Sequence, residues 1–251
     1  MLTAAHCVAY NEKGYVLSIS VELGQHYRNP RAIIVLIPLA QVLIHPDYNN
    51  PQNHSNDLAL LKLYAPVNFN SVPHVRPVCL PSKRNERFAG LRATVAGWGT
   101  TSVGGESSDV SLETEVNVIS VQNMGLNIKV LARETQVVQL STIFPLSDIL
   151  LLIGGPVMIG DNRTSSYTMI GAVSWGWEDC TSQTWPGVHA RITSNIGWIT
   201  DTTARSSTCP LRADGDQIHE NYNIGKKVAI FCYVPHQQSL SSKAYSGNKT
   251  V

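Results

Sequence analysis

The chain has 251 residues and a formal net charge of +1, with 19 Lys and Arg against 18 Asp and Glu. Only 15% of the residues are charged, which argues against nucleic acid or a membrane surface as the main partner. The apolar stretch 32–44 is too short for a membrane-spanning helix and contains Pro38, so membrane insertion is not expected. The length allows one large domain or two smaller ones.

Short apolar segments separated by turn residues predict strands along most of the chain. The predicted strands are residues 15–23, 32–44, 57–63, 92–97, 112–120, 156–160, 168–175 and 187–192. Partial alternation of apolar and polar residues in 112–119 is typical of a half-solvated strand. Residues 194–203, with Thr193 or Ser194 as a cap, predict a terminal helix. The fold class predicted from this order is all-β with a carboxy-terminal α-helix.

Seven motifs follow one another along the chain. They are LTAAHC at 2–7, NDLALLKL at 56–63, RPVCLP at 76–81, AGWGT at 96–100, SWG at 174–176, PGVHARI at 186–192 and WI at 198–199. In this order and spacing they resemble the motifs of trypsin-like serine proteases, over residues 1–120 and 154–200. The resemblance implies the chymotrypsin fold, with two six-stranded antiparallel β-barrels. The first barrel is expected to be incomplete, because Met1 stands directly before the histidine motif.

His6 and Asp57 fill two of the three roles of a hydrolytic triad. Such a triad needs a nucleophile, a histidine base and a carboxylate that fixes the imidazole tautomer. A packed histidine and an unrelated loop aspartate are the alternative. Asp57 opens an apolar run, where an unpaired charge is costly, and this favours a catalytic-type pair.

The third role is unfilled. The family places its serine directly before Gly-Gly-Pro, and here residues 151–156 read LLIGGP, which puts Ile153 at the nucleophile position. Isoleucine has no group that can attack a carbonyl. By the same resemblance, Leu152 replaces the aspartate that receives the new amino terminus on activation, and Leu151 replaces a glycine beside the oxyanion hole. The chain as written is therefore predicted to be inactive.

Substrate binding is assigned by resemblance alone. Ser174, Trp175 and Gly176 would pair with an extended peptide as an added strand. Gly176 and Gly187 would leave the primary specificity pocket open. The alternative is ordinary strand and turn chemistry for the glycines and core packing for Trp175.

Cysteines and glycosylation sequons suggest a secreted protein. The five cysteines are an odd number, so at least one thiol is unpaired within the chain. The resemblance makes disulfide candidates of Cys7, Cys79 and Cys180, whose family partners are absent from this sequence. Sequons make glycosylation candidates of Asn53, Asn162 and Asn248. Secretion is expected, although no signal peptide precedes Cys7.

Two segments do not resemble the family. Residues 121–153 gave no family match, and their end is rich in Leu, Ser, Phe and Pro, which have pyrimidine-rich codons. One hypothesis is translated intron sequence; ordinary divergence is the alternative. Residues 206–251 turn polar and irregular, and we expect a disordered tail after a peptidase domain at 1–205.

Two functions remain open. The first is a secreted serine endopeptidase whose chain as written lacks its nucleophile. The second is an inactive homologue that acts as a binding or regulatory cofactor in a protease cascade, since the long loop 99–109 resembles those of arthropod clotting and immune proteases. The partner would be a protein or peptide substrate, or a cascade protease.

Cofactors and metals are not expected. Neither a His-Glu-x-x-His motif nor paired-cysteine spacing occurs in the sequence. His26, His45 and His54 fall in predicted loops and are expected to face solvent.

Overall fold

The computed structural model describes most of the chain between Met1 and Ala204. The described residues are 1–9, 20–28, 35–50, 54–72, 75–84, 86–100, 105–120, 136–140, 154–161, 166–175 and 187–204. They contain ten strands and one α-helix, α1 (Ile192–Thr203). The predicted class, all-β with a carboxy-terminal helix, is confirmed.

The first half of the described chain forms a four-stranded antiparallel sheet. Its strands are β1 (Leu2–Thr3), β2 (Ser20–Leu23), β3 (Val35–Ile44) and β4 (Ala59–Leu63), in the order β1-β4-β3-β2. A short 3-10 turn, Ala5–Cys7, follows β1 directly. This sheet corresponds to the incomplete first barrel that the resemblance implied.

The second half closes into a six-stranded antiparallel barrel. Its strands are β5 (Arg92–Gly97), β6 (Leu112–Ile119), β7 (Gln136–Leu140), β8 (Pro156–Asp161), β9 (Ser166–Trp175) and β10 (Gly187–Arg191). The order around the barrel is β10-β7-β6-β5-β8-β9, so every strand has two neighbours and no edge is left open. The helix α1 continues from β10 without a loop.

Alternating burial explains why β6 is a strand. Val116 and Val118 point into the barrel, where they pack with residues of β5, β8 and β9, while Glu113 and Glu115 are exposed. A period of two is the signature of a strand with one wet face. The half-solvated strand predicted here is confirmed.

Strand β4 connects two hydrophobic cores because both of its faces are buried. Ala59 and Leu61 pack into the core of the first sheet. Leu58, which precedes the strand, and Leu60 pack instead against residues of β9, β10 and α1. Full burial of a leucine side chain stabilises the fold by about 1.5–3 kcal/mol. The first sheet and the second barrel therefore share a core next to β4.

The predicted start and cap of the carboxy-terminal helix were wrong. The helix begins at Ile192, not at 194, and its N-cap is Arg191, with no side-chain cap bond. The strand leads directly into the helix, and Thr193 is buried with its hydroxyl 3.4 Å from the Glu86 carbonyl oxygen, which takes it away from a capping role.

Two strands were missed by the sequence analysis. β1 has only two residues, and the sequence of β7, QVVQL, does not alternate apolar and polar residues. β7 lies inside segment 121–153, for which the sequence predicted no strand, and it pairs with both β6 and β10.

Candidate active site

The pairing of β1 with β4 brings His6 next to Asp57. Leu2 is paired with Leu60 and Thr3 with Ala59 in an antiparallel register. Continuing that register past the ends of the strands places the 3-10 turn after β1 opposite the residues just before β4. Two side chains that are 51 positions apart in the chain are thereby neighbours.

Hydrogen bonds hold the two side chains in a fixed orientation. His6 Nδ1 lies 2.6 Å from Asp57 Oδ2, and the His6 backbone N–H donates to Asp57 Oδ1 at 2.8 Å. Asp57 is fully buried, whereas the His6 side chain is 21% exposed. Since Nδ1 is engaged with the carboxylate, Nε2 is the nitrogen left to meet a substrate. The predicted base–carboxylate pair is assembled in this structure.

Ser174 supports this pair from the second barrel. Its hydroxyl donates to Asp57 Oδ2 at 2.5 Å and is buried. The sequence analysis predicted that Ser174 pairs with a peptide through its backbone, and the structure places its side chain behind Asp57, away from solvent. The buried carboxylate thus receives three hydrogen bonds, as a buried charge requires.

These contacts shift the pKa values of His6 and Asp57 in the directions that favour an ion pair. Burial lowers the pKa of His6, but hydrogen bonds with Asp57 and Cys7 outweigh it and raise the pKa to about 10. Burial raises the pKa of Asp57, but hydrogen bonds from His6 and Ser174 outweigh it, and the net direction is below its ordinary value. Both directions favour the charged forms of the two groups, an imidazolium and a carboxylate.

Cys7 and Gly154 lie on the Nε2 side of His6. Cys7 Sγ is 3.7 Å from His6 Nε2. A Cβ at Gly154 would meet Cys7 Sγ at 2.7 Å and Thr3 Oγ1 at 2.9 Å. Gly154 also has φ +75°, a left-handed conformation that favours glycine. Position 153 itself lies outside the described residues.

His54 belongs to this site, which the sequence analysis did not foresee. Its ring centroid is 6.1 Å from that of His6 and 6.3 Å from that of Trp175. The prediction that His54 faces solvent was wrong, because its side chain is only partly exposed. Its position three residues before Asp57 was the feature of the sequence that could have placed His54 near the His6–Asp57 pair.

The other two loop histidines behave differently from each other. His26 is exposed, as predicted. His45 was also predicted to face solvent and is buried at 8% exposure, because its ring packs against Trp198 at 4.6 Å between centroids and its Nδ1 accepts the Asp47 N–H.

The structure describes some of the remaining predicted site residues and leaves out others. Trp175 ends β9 and Gly187 begins β10, and these strands are neighbours in the barrel. Cys79 lies beside β9, where its N–H donates to the Tyr167 carbonyl oxygen. The positions outside the described residues are Ile153, Gly176, Cys180, Asn53, Asn162 and Asn248.

Comparisons with known proteins agree with this geometry. The family model described as Trypsin matches residues 1–141, which is more than half of the chain. The chain belongs to the trypsin family. A venom protease of Bombus pensylvanicus is 37% identical to this trypsin-family chain over 213 residues, covering 78% of each.

Further relatives are also arthropod serine proteases. Serine protease SSP1 of Scolopendra subspinipes is 32% identical over 211 residues, covering 81% of this chain and 69% of that protein. Melanization protease 1 of Drosophila melanogaster is 29% identical over 221 residues, covering 79% of this chain and 54% of that protein. The chain thus spans little more than half of some relatives that it matches.

The trypsin match also bears on segment 121–153. It ends at residue 141 and so includes the first two thirds of the segment, in which the motif analysis found no counterpart. β7 lies within the matched part and completes the barrel. The family match therefore includes residues 121–141 of the segment and ends before residues 142–153.

No helix among the described residues is long and apolar enough to cross a membrane.

Proposed function

We propose that this chain carries the substrate-handling scaffold of a serine endopeptidase and, as written, does not hydrolyse peptide bonds. The observation that supports the scaffold is the buried hydrogen-bonded network of His6, Asp57 and Ser174. In a hydrolytic triad, this arrangement orients an imidazole to take a proton from a hydroxyl nucleophile. Peptide-bond hydrolysis is the chemistry for which the network is suited.

Two features oppose activity in this sequence. Ile153 stands where the family has its serine, so no covalent acyl intermediate can form there. In addition, by the same resemblance, Leu152 stands where the family has the aspartate that receives the new amino terminus, and Leu151 replaces a glycine beside the oxyanion hole. Loss of the serine in a comparable triad lowers turnover by about six orders of magnitude.

The experiment is a hydrolysis assay on a panel of fluorogenic peptides. The wild type should release no fluorophore above the rate in buffer. A variant that restores the family motif, Leu151→Gly with Leu152→Asp and Ile153→Ser, should gain hydrolysis, and adding His6→Ala should remove it again. Hydrolysis by the wild type that is lost in His6→Ala would contradict the proposed inactivity. Failure of a folded triple variant to gain any activity would contradict the endopeptidase scaffold.

A second candidate is a binding or regulatory role in a protease cascade. It is favoured by the persistence of the His6–Asp57–Ser174 network in a chain without the serine. Relatives named as a melanization protease and a clotting factor subunit point to the same setting. The wild type would then bind a peptide or a cascade protease without cleaving it, which a binding assay with a fluorescently labelled peptide would detect.

We also propose an extracellular location. Relatives are named as venom proteases and as a clotting factor, and the sequence holds three glycosylation sequons. Mass spectrometry of the secreted protein would show glycans on Asn53, Asn162 or Asn248 if this is right. Recovery of the protein only from the cytosol, without glycans, would contradict it.

A further inference from the structure

Three nitrogen- and oxygen-bearing side chains converge at the active site from two separate loops. His6, His54 and Asp57 each offer one possible ligand atom, and these atoms all lie within 4.8 Å of one another. Ligands of a tetrahedral ion with bonds of about 2.0–2.1 Å are about 3.3 Å apart. Small rotations of the two imidazole rings would therefore bring a nitrogen of His6 and a nitrogen of His54 to the separation of two ligands of one ion.

The donor chemistry selects a transition metal. Imidazole nitrogens suit Zn²⁺, Cu²⁺ and Ni²⁺ and are poor ligands for Ca²⁺ and Mg²⁺, which prefer oxygen. His6 also has the outer partner that zinc-binding histidines usually have, because its Nδ1 is hydrogen-bonded to the Asp57 carboxylate. That bond leaves Nε2 as the metal-binding atom of His6.

The loop that carries His54 is fixed by its own contacts. The His54 backbone has φ 61°, and its N–H donates to Asn49 Oδ1 at 2.7 Å. Left-handed backbone is uncommon outside glycine, and histidine is among the residues that adopt it more often. His6 and His54 are both partly exposed, so an ion can reach them from solvent.

We propose that the chain binds a zinc ion between the imidazoles of His6 and His54, with Asp57 orienting His6 from behind and water completing the coordination. The ion would occupy the same Nε2 that acts on a substrate, so metal binding and base chemistry would exclude each other. Binding requires neutral imidazole and displaces the proton from His6. The metal site does not depend on whether the chain hydrolyses peptides.

The first experiment is isothermal titration of the full chain with zinc chloride, after removal of metals by a chelator. We expect one saturable site whose affinity falls at least about 100-fold in His54→Asn and in His6→Gln, because loss of an outer partner alone costs about 10–100-fold. Asparagine readily takes the left-handed backbone found at His54, so this variant should fold. His26→Asn is the matched control, since it removes an exposed histidine outside the site and should leave the affinity unchanged. Equal affinity in wild type and His54→Asn, or no saturable binding by wild type, would overturn the proposal.

X-ray absorption at the zinc edge tests the same site without any variant. We expect ligands at about 2.0–2.1 Å that include two imidazoles. A shell of sulfur ligands at about 2.3 Å without any imidazole would place the ion on cysteines and overturn the assignment to His6 and His54.

Discussion

At the scale of single residues, the site depends on side chains that satisfy one buried charge. Asp57 has no exposed surface, and its charge is offset by hydrogen bonds from His6 and Ser174. Removal of one partner of a buried charge leaves that charge partly desolvated, which costs more than the loss of a surface contact. The stability of the fold and the orientation of His6 are therefore linked.

Ser174→Ala should lower the free energy of unfolding by about 1.5–3 kcal/mol, the usual contribution of a hydrogen bond to a charged group. Urea denaturation measures this. Ser71→Ala removes an exposed hydroxyl that donates to the Asn68 carbonyl oxygen and should change stability by less than about 0.5 kcal/mol. Equal effects of the two substitutions would show that the Ser174–Asp57 bond is not formed.

Gly154→Ala should be more destabilising than Gly90→Ala. Both glycines have positive φ, so alanine carries a backbone penalty of about 1–2 kcal/mol at either position. Only at Gly154 would the new Cβ also meet Cys7 Sγ at 2.7 Å, whereas Gly90 has no heavy atom within 4 Å of that point. Thermal unfolding of the two variants gives the comparison, and equal melting temperatures would contradict the close packing of Gly154 against Cys7.

His189 should make the protein lose stability in acid. It is 2% exposed, neither ring nitrogen has a hydrogen-bond partner in the part of the chain that the structure describes, and burial lowers its pKa to about 3. Between about pH 6.5 and about pH 3 the unfolded chain binds the proton and the folded chain does not, so the free energy of unfolding falls as the pH falls, by at most about 1.4 kcal/mol per pH unit. His189→Leu should remove this part of the pH dependence in urea denaturation, and an unchanged pH dependence would contradict it.

At the scale of elements, β7 decides whether the second barrel is closed. Val138 is paired with Ile119 of β6 and with Val188 of β10, so its backbone lies between two strands. An interior strand of an antiparallel barrel uses every N–H in the ladder, and proline has none. This strand lies in the segment whose origin the sequence left open.

Val138→Pro should therefore destabilise the barrel by about 3 kcal/mol or more. Val138→Ala is the matched control, because it shortens the same side chain and keeps the N–H. Chemical denaturation with near-ultraviolet circular dichroism measures both variants. If the two are equally stable, β7 is not part of the barrel.

At the scale of the whole molecule, the sequence indicated the fold through its motifs and the site only in part. The His6–Asp57 pair followed from motif order and is present. The exposure of His54 and His45 was predicted wrongly, because loop residues were assumed to face solvent. His54 lies beside Trp175 and is partly exposed, and His45 packs against Trp198 and is buried. β7 was missed because its sequence, QVVQL, does not alternate apolar and polar residues, and its place is set by pairing with β6 and β10.

The central claim is that His6 and Asp57 form an assembled ion pair in a chain without the family's nucleophile. Nuclear magnetic resonance of ¹⁵N-histidine-labelled protein measures the pKa of His6 directly, with His6→Gln used to assign the signal. We expect the pKa of His6 to lie above the ordinary histidine value of about 6.5, because the Asp57 carboxylate accepts a hydrogen bond from the protonated ring. A pKa below that value would contradict this account, because Asp57 would then not stabilise the imidazolium.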